Sequence, residues 1–482
     1  MSHYKPDPDK NVNLTIDGIP VTVPEGTTIL EAARKVNVKI PTLCDHPDLR
    51  RRAVCRLCVV ECDGRGKLLA ACANDVWEGV SVVTNNARIV GIRKTIIELM
   101  LANHPEDCLG CVKNTKCELQ SLAERFGIRA SPFSRGALKQ DREIAGETVV
   151  RDMGKCVKCG RCVETCQEIQ TVRAINTSHR SVNYEISTPY GQALVDGPCI
   201  LCGQCAVVCP VGAIYAHDQT AEVWTALNKG ERHMAAQLAP STASAVCAEF
   251  DLPPKEITIG KIVTALKLIG FKTVFAADFF AAQSAREKAD ELLVRIKNKA
   301  RLVQPGLPMI SCCSQSCVKF VKEFYPDLAD RLYTSKRPSQ ILTVMAREKY
   351  SGETGTGEPK IACVSITPCI AEKFETKQSE KDDSKNNDFA LTADELARMI
   401  RIAGIELGNL VESPFDSFGD TFTGKFSEPD SLTVYGLANA RVVLDSIRKG
   451  ECDATLVKIM CCNVCPADDG SQAADCSNQP GI

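Results

Sequence analysis

The chain has 482 residues, of which 44% are hydrophobic and 24% charged, so it can support several domains with buried cores. The 58 Lys and Arg residues nearly balance the 60 Asp and Glu residues, and a net charge of −2 gives no electrostatic reason to expect nucleic acid or an anionic membrane as partner. No apolar run approaches the ~20 residues of a membrane span, and the first residues contain no secretory apolar segment, so we expect a cytoplasmic protein. A count of 27 cysteines in such a chain predicts metal binding rather than disulfides.

The first motif is a set of four cysteines that follows a hairpin and a helix. Apolar residues alternate on both sides of Asp17-Gly18, which predicts the hairpin, and Thr28 with Glu31 forms a capping box that predicts the helix. The cysteines that follow are Cys44, Cys55, Cys58 and Cys72. The arrangement resembles the [2Fe–2S] domain of the large iron–sulfur subunit of complex I and of [FeFe]-hydrogenases, which implies a β-grasp domain over 1–88 and one [2Fe–2S] cluster on these four thiolates. A zinc site is the alternative, and Cys62, outside the set, is interpreted as a buried thiol.

The second motif places a histidine ahead of three cysteines. Apolar residues recur at helical spacing over 88–103 and lead to His104, which completes H-x3-C-x2-C-x5-C with Cys108, Cys111 and Cys117. This pattern resembles the His-ligated [4Fe–4S] motif of the same two families and implies a helical domain over 89–148 with one histidine and three cysteine ligands. A neutral imidazole in place of a thiolate leaves a cluster less negative and easier to reduce. The alternative is a helix-end histidine beside a three-cysteine site.

The third region, 149–222, contains two runs of the form C-x2-C-x2-C-x3-C, which is the bacterial ferredoxin signature. In this signature the fourth cysteine of each run ligates the other cluster. One [4Fe–4S] cluster is therefore assigned to Cys156, Cys159, Cys162 and Cys209, and its partner to Cys199, Cys202, Cys205 and Cys166. Gln167 stands where a proline often follows the fourth cysteine. Four clusters in series up to residue ~215 indicate one-electron transfer between distant sites.

The C-terminal region, 223–482, resembles the catalytic domain of [FeFe]-hydrogenases. The blocks that carry the resemblance, in family order, are 237–241, 260–271, 308–313, 365–369, 373–375, 391–400, 436–441 and 459–465. Apolar strands over 361–366 and 455–459 and helices over 261–269 and 438–449 predict a truncated α/β domain, so the whole chain is expected to be multidomain, α+β and α/β. Cysteines follow directly on the predicted strand ends, where open α/β sheets place their sites.

In that family, four cysteines hold a [4Fe–4S] cluster bridged to a two-iron subcluster. Three of the ligand positions fall on Cys369, Cys461 and Cys465. The fourth depends on the alignment with the family: without a gap the ligand is Ser314 and the proton-transfer cysteine is Cys313. With one inserted residue the ligand is Cys313 and the proton donor is Cys312. Cys312, Cys317, Cys462 and Cys476 are substitute candidates, and the alternative is that this half binds no metal. Cys247, Cys363 and Cys452 are scattered and are interpreted as core residues.

Several departures from the family pattern surround these cysteines. Thr367 replaces a methionine, and Glu372 replaces a lysine that donates to a cyanide, where an ionised carboxylate can only accept. The Gly-rich tail is replaced by 465–470, and a long family segment is missing between Gly424 and Leu432. We therefore expect no two-iron subcluster, but a plain iron–sulfur cluster held by Cys313, Cys369, Cys461 and Cys465.

Two further segments carry no cofactor motif. The charged stretch 372–388 is predicted to be a solvated loop, and Gly352–Gly357 lacks the flanking strand and helix of a dinucleotide fingerprint. The sequence contains no P-loop, flavin motif or convincing NAD site, so the substrate site is expected in partner subunits.

The whole arrangement resembles the large subunit of trimeric electron-bifurcating hydrogenases and, without hydrogen chemistry, the iron–sulfur subunit of Sporomusa-type bifurcating transhydrogenases. The resemblance implies an electron-transferring subunit of a NADPH/NADH/ferredoxin transhydrogenase in a reducing, anaerobic cytoplasm. Its implied partners are flavin- and NAD(P)(H)-binding subunits resembling those of complex I, a small [2Fe–2S] subunit and soluble ferredoxin. The alternatives are a divergent [FeFe]-hydrogenase, a non-catalytic hydrogenase-like redox sensor, or a side arm of a hydrogenase or formate dehydrogenase complex.

Overall fold

A computed structural model describes most of the chain. The described residues are 7, 9–63, 68–134, 142–253, 256–299, 306–351, 361–378, 387–418 and 430–462. Within these ranges, no helix combines the length and apolar character needed to cross a membrane.

The N-terminal region is a five-stranded mixed sheet with one helix. Its elements are β1 (Asn11–Ile16), β2 (Ile19–Pro24), α1 (Ile29–Lys35), β3 (Val59–Cys62), β4 (Leu68–Ala70) and β5 (Ser81–Val83), with strand order β2-β1-β5-β3-β4. The predicted hairpin is present, and Asp17 and Gly18 both adopt the left-handed conformation that a two-residue turn requires. The predicted capping box is also present, because Thr28 Oγ1 accepts from the Glu31 N–H while the Glu31 carboxylate accepts from the Thr28 N–H. Local sequence therefore determines the start of this region.

Two helices connect this sheet to the next region. They are α2 (Ala87–Ala102) and α3 (Glu118–Arg125). Helix α2 is the helix predicted over 88–103, and Asn86 caps it by accepting from the Ile89 N–H. Arg93 of α2 is buried and donates to the carbonyls of Leu57 (3.0 Å) and Val59 (2.7 Å). The helix thereby fixes the loop that carries Cys58.

The central region is small and loop-rich. Its elements are β6 (Arg142–Ala145), β7 (Val149–Asp152), α4 (Arg161–Glu164), a single π turn (Thr165–Ile169), β8 (Asn176–Ser178), β9 (Glu185–Ser187), α5 (Gln204–Val207) and β10 (Ile214–Ala216). Strands β10, β7 and β6 form an antiparallel sheet, and β8 pairs with β9.

Short 3-10 turns occur throughout the described part of the chain. They lie at Cys108–Gly110, Met153–Lys155, Ser181–Asn183, Pro189–Gly191, Leu194–Asp196, Pro326–Arg331 and Leu407–Asn409.

The C-terminal region contains two separate parallel sheets. Its strands are β11 (His233–Leu238), β12 (Thr273–Ala276), β13 (Met309–Cys312), β14 (Ile361–Ile366), β15 (Phe389–Leu391), β16 (Ser431–Tyr435) and β17 (Leu456–Met460). Its helices are α6 (Thr220–Lys229), α7 (Thr242–Glu249), α8 (Ile259–Ile269), α9 (Ala281–Lys299), α10 (Gln315–Phe324), α11 (Pro338–Ser351), α12 (Glu372–Gln378), α13 (Ala393–Ile402) and α14 (Leu437–Lys449). One sheet has the order β12-β11-β14-β15 and the other has the order β13-β17-β16. The predicted strands and helices of this region are therefore present.

The cores cross the sequence boundaries between these regions. One continuous apolar core joins the central region to the β13-β17-β16 sheet and contains cysteines of both, whereas the four-stranded sheet encloses a core of its own. The predicted cysteine sites of the central region thus pack against the C-terminal region.

The prediction of a solvated loop over 372–388 is wrong for its described part. Residues 372–378 form α12, and Lys373 is buried where its Nζ donates to both carboxylate oxygens of Glu395 (3.0 and 2.9 Å) and to the Ala390 carbonyl (2.7 Å). A charged sequence does not reveal that its charges are paired inside the protein, because the partner lies on another element.

Candidate metal centres

The first predicted site lies in one buried group of sulfurs. Cys44, Cys55, Cys58 and Cys72 are all buried, and the Cys58 and Cys72 sulfurs are 3.3 Å apart. Hydrogen bonds from the thiols of Cys55 and Cys72 lower the pKa of Cys44 to about 2, and the thiol of Cys72 lowers the pKa of Cys58 to about 7. The same hydrogen bonds, with Cys44 first, raise the pKa of Cys55 and Cys72 well above the usual range. The thiolate is the form that binds a metal, so a bound cation would be needed to stabilise all four thiolates. The role of Arg93, which donates to the carbonyls on both sides of Cys58, was not predicted from the sequence. The one sequence feature that could have indicated it is an arginine within an apolar helix.

The second predicted site combines a buried imidazole with three sulfurs. His104 is buried and its Nδ1 has no hydrogen-bond partner among the described residues. Burial lowers the pKa of His104, so its ring is neutral at pH 7 and keeps a lone pair for a metal. Burial, together with the charges of Cys111 and Cys108, raises the pKa of Cys117. The unpartnered buried nitrogen of His104 fits a metal ligand, since such a nitrogen otherwise costs free energy.

The third predicted site surrounds a cavity. The cavity is small and is lined by four cysteines and by apolar or glycine residues. The four are Cys156, Cys159, Cys162 and Cys209. Three belong to the first run and one to the second, which is the exchange that the ferredoxin signature implies. Burial raises the pKa of Cys156 to about 11 and that of Cys159 to about 12, so a bound cation would be needed to stabilise their thiolates.

The fourth predicted site shows the reciprocal exchange. The charge of Cys166 contributes to the raised pKa of each cysteine in the second run, after burial, so its sulfur lies within electrostatic range of all three. The three are Cys199, Cys202 and Cys205. Backbone N–H groups point at these sulfurs, with Ala174 donating to Cys166 (3.2 Å) and Leu201 to Cys199 (3.4 Å). Such donors stabilise charge on sulfur and so fit a metal-bound thiolate.

A buried arginine lies between the first and third sites. Arg161 donates to both carboxylate oxygens of Glu118 (2.5 and 2.9 Å) and to the Asp45 carbonyl (2.9 Å). Burial alone would lower the pKa of Arg161, but Glu118, together with the nearby sulfurs of Cys159 and Cys44, raises it. The guanidinium therefore stays charged close to both sets of sulfurs, a position that spacing in the sequence does not predict.

The C-terminal cysteines are brought together only in part. Cys313 and Cys461 follow the adjacent parallel strands β13 and β17, and the Cys461 N–H donates to the Cys313 sulfur (3.3 Å). The Cys317 sulfur lies 2.6 Å from that of Cys312, and the thiols of Cys313 and Cys317 hydrogen-bond to Cys461 and hold the pKa of that group well below its usual range. The sequence offered Cys317 only as a substitute candidate. Its position in the first turn of α10, just after β13 and Cys313, is the feature that could have indicated its place in this group. The described sulfurs thus form a compact group of four.

Cys369 lies at the end of a strand of the other sheet, and Cys465 lies outside the described residues. Cys369 follows β14, which belongs to the other sheet, and no hydrogen bond joins it to the four sulfurs within the described part of the chain. Its N–H instead donates to Thr367 Oγ1 (3.2 Å). Cys465 and the substitute Cys476 lie outside the described residues, whereas the substitute Cys462 is half-buried directly after Cys461. Of the three cysteines interpreted as core residues, Cys247 and Cys363 are buried and Cys452 is half-buried, and Cys62 is buried.

Charged side chains line the approach to the C-terminal sulfurs. Arg337 donates to the Cys313 carbonyl (3.2 Å), lies 3.6 Å from Glu372 and pairs with Glu375. Glu375 also accepts from the Gln315 N–H (3.3 Å), which ties α12 to α10. The sequence predicted the carboxylate of Glu372 but not its arginine partner, since no motif links positions so far apart.

Comparisons with known families divide the chain into four matched segments. Residues 9–87 match a 2Fe-2S iron-sulfur cluster binding domain, and 93–132 match the NADH-ubiquinone oxidoreductase-G iron-sulfur binding region. Residues 146–215 match the ferredoxin-like domain of NADH-quinone oxidoreductase subunit 3, and 232–428 match the C-terminal domain of the iron only hydrogenase large subunit.

Several known proteins are similar to this chain along much of its length. It is 36% identical to the NADP-reducing hydrogenase subunit HndD of Solidesulfovibrio fructosivorans over 414 residues, which cover 84% of this chain and 71% of that protein. It is 30% identical to iron hydrogenase 1 of Clostridium pasteurianum over 85% of this chain and 71% of that protein. The NADPH-Fe(3+) oxidoreductase subunit alpha of Geobacter sulfurreducens is 36% identical over 42% of this chain and 24% of its own length.

Proposed function

The chain belongs to the family of iron-only hydrogenase large subunits, and from this premise we propose that it is the electron-transferring iron–sulfur subunit of a multisubunit NAD(P)H-linked oxidoreductase. The observation that carries the proposal is the cavity lined by Cys156, Cys159, Cys162 and Cys209, with cysteines of the other predicted sets in the same apolar core. Iron–sulfur clusters supply one-electron transfer when bound. The side chains of this chain hold, bury and orient the sulfurs.

The proposed ligand sets follow the sequence assignment. They are Cys44, Cys55, Cys58 and Cys72 for one [2Fe–2S] cluster, and three sets for [4Fe–4S] clusters: His104, Cys108, Cys111 and Cys117; Cys156, Cys159, Cys162 and Cys209; and Cys199, Cys202, Cys205 and Cys166. The proposed domains that carry them are 1–88, 89–148, 149–222 and 223–482. For a further cluster in the last domain we keep Cys313, Cys369, Cys461 and Cys465, and the sulfur contacts favour Cys312 and Cys317 among the four substitute candidates.

The C-terminal pocket is proposed to lack the two-iron subcluster. Glu372 stands at the position where the family has a lysine that donates to an anionic ligand, and it pairs with Arg337 beside Cys313. A carboxylate only accepts hydrogen bonds, so Glu372 cannot replace that donor, and the pairing with Glu372 and Glu375 occupies the Arg337 guanidinium. Without hydrogen chemistry, the substrate sites belong to partner subunits.

The proposed partners are flavin- and NAD(P)(H)-binding subunits like those of complex I, a small [2Fe–2S] subunit and soluble ferredoxin. The proposed overall reaction is electron bifurcation among NADPH, NADH and ferredoxin. The second candidate is a hydrogenase catalytic subunit, favoured by the names of two relatives of which the chain covers 71%.

One experiment separates the two candidates. The complex is purified anaerobically from its source, and the same sample is analysed for iron, flavin, infrared bands of carbon monoxide and cyanide, and hydrogen evolution from a reduced mediator. The proposed function predicts flavoprotein subunits and NADPH-dependent ferredoxin reduction without those bands or hydrogen. Diatomic bands with hydrogen evolution would support the hydrogenase and overturn the proposal, and a chain that purifies alone without nicotinamide-linked activity would support a redox sensor.

A further inference from the structure

Three glycines of the central region lie where loops of neighbouring predicted sites touch it. They are Gly212, Gly203 and Gly160. A Cβ added to Gly212 would lie 2.7 Å from the Cys111 sulfur, and one added to Gly203 would lie 2.5 Å from Ile370 Cγ2, which is the residue after Cys369. A Cβ on Gly160 would lie 2.7 Å from Nε of Arg52, near Cys55 in the sequence. Each contact therefore joins a cysteine-bearing loop of one site to a cysteine-bearing loop of another.

Gly212 makes the most direct of these connections, because its neighbour Cys111 is itself a predicted ligand. Its neighbours Val211 and Ala213 line the cavity of the third site, and their N–H groups hydrogen-bond to the Cys209 sulfur. The opposite side of Gly212 faces the Cys111 sulfur of the His104 site. One stretch of backbone therefore separates a sulfur of one set from a sulfur of the other.

The backbone at Gly212 is held on both sides. The Glu118 N–H donates to the Pro210 carbonyl (2.9 Å), and the Asp152 N–H donates to the Ala213 carbonyl (2.8 Å). A side chain at Gly212 could not be accommodated by shifting this segment, because these bonds and the cavity lining would shift with it. The Cys111 loop would have to move instead.

We propose that Gly212 is a positioning residue that fixes the distance between the His104 site and the cavity site. The absence of a side chain is what allows the Cys111 loop to approach. Gly203 and Gly160 have positive φ, which favours glycine at those two positions whatever their neighbours. This inference rests on the ligand sets of the proposed function. Because electron tunnelling weakens steeply with distance, Gly212 thereby controls the coupling between these two sites.

The test compares G212A with the matched control G110A. Gly110 lies between Cys108 and Cys111 in the same loop, has no atom within 4 Å of an added Cβ and, like Gly212, has no positive φ. The full chain is reconstituted anaerobically with iron and sulfide, and iron content and the EPR spectrum of the dithionite-reduced protein are measured. We expect G212A to lose the signal of the His104 site or its magnetic interaction with the cavity site, while G110A matches the parent.

Thermal unfolding of the same full chains without iron provides a second readout. G212A should have a lower unfolding midpoint than G110A. In the C111A background the contact with sulfur is absent, so the double variant C111A/G212A should have the same unfolding midpoint as C111A. If G212A loses every cluster, recovery of the clusters other than that of the His104 site in the C111A/G212A double variant supports the inference, and no recovery overturns it. Equal midpoints and spectra for G212A and G110A also overturn it. A parent chain that binds no iron refutes the proposed function, while the unfolding comparison still decides the contact.

Discussion

Replacing Lys373 by methionine should destabilise the C-terminal region through the carboxylate that it leaves behind. Lys373 and Glu395 have side chains only 1% and 3% exposed, and the Lys373 Nζ donates to both oxygens of Glu395 and to the Ala390 carbonyl. Removing one partner of a buried ion pair costs about 3–5 kcal/mol, and burial this complete leaves little solvent to screen the remaining charge. At about 2–4 °C per kcal/mol for a unit of this size, the unfolding midpoint should fall by roughly 6–20 °C.

The assay is differential scanning calorimetry of the full chain, with two comparison variants. Lys229 is exposed near the end of α6, and Lys229→Met should change the free energy of unfolding by less than about 0.5 kcal/mol. The double variant K373M/E395Q removes both charges, while glutamine can still cap α13 in place of the glutamate. The double variant should therefore recover most of the stability lost in K373M.

Two results would refute this reasoning. One is a loss below about 1 kcal/mol for K373M, which would be typical of an exposed ion pair. The other is a double variant less stable than K373M, which would mean that the unpaired charge is not the cause. Because α12 follows directly on Cys369, iron analysis of K373M also shows whether this anchor affects the C-terminal site.

Three further predictions concern the metal sites and the junction between them. Cys209→Ser should remove about four irons per chain and leave the same EPR spectrum as Cys159→Ser, whereas the control Cys62→Ala should lose no iron. A spectrum like that of Cys202→Ser would contradict the exchange of the fourth cysteine between the two runs. His104→Cys should retain its cluster at a lower midpoint potential, since a thiolate adds negative charge, and an unchanged or higher potential in a redox titration would be evidence against ligation by His104. Arg161→Gln should lower the free energy of unfolding in urea by about 1–3 kcal/mol, against less than about 1 kcal/mol for the exposed Arg51→Gln, and equal losses would show that Arg161 is not a buried anchor.

Sequence alone determined the features that depend on short-range spacing. The Asp17-Gly18 turn, the capping box at Thr28 and the helix leading to His104 all form as predicted, because turn and cap chemistry involves residues only a few positions apart. The grouping of cysteine motifs into iron–sulfur segments was equally available, since ligand spacing within a run is a local property.

Only the tertiary structure decided how distant segments meet. Cys313 and Cys461 come together because β13 and β17 are neighbours in one sheet, whereas Cys369 follows a strand of the other sheet, and all three look alike in the sequence as cysteines at strand ends. The contacts of Arg161, Lys373 and Gly212 likewise join residues far apart in the chain. The physical reason is that burial, charge pairing and close backbone approach are properties of packed surfaces, and no local pattern in the sequence reveals which surfaces face each other.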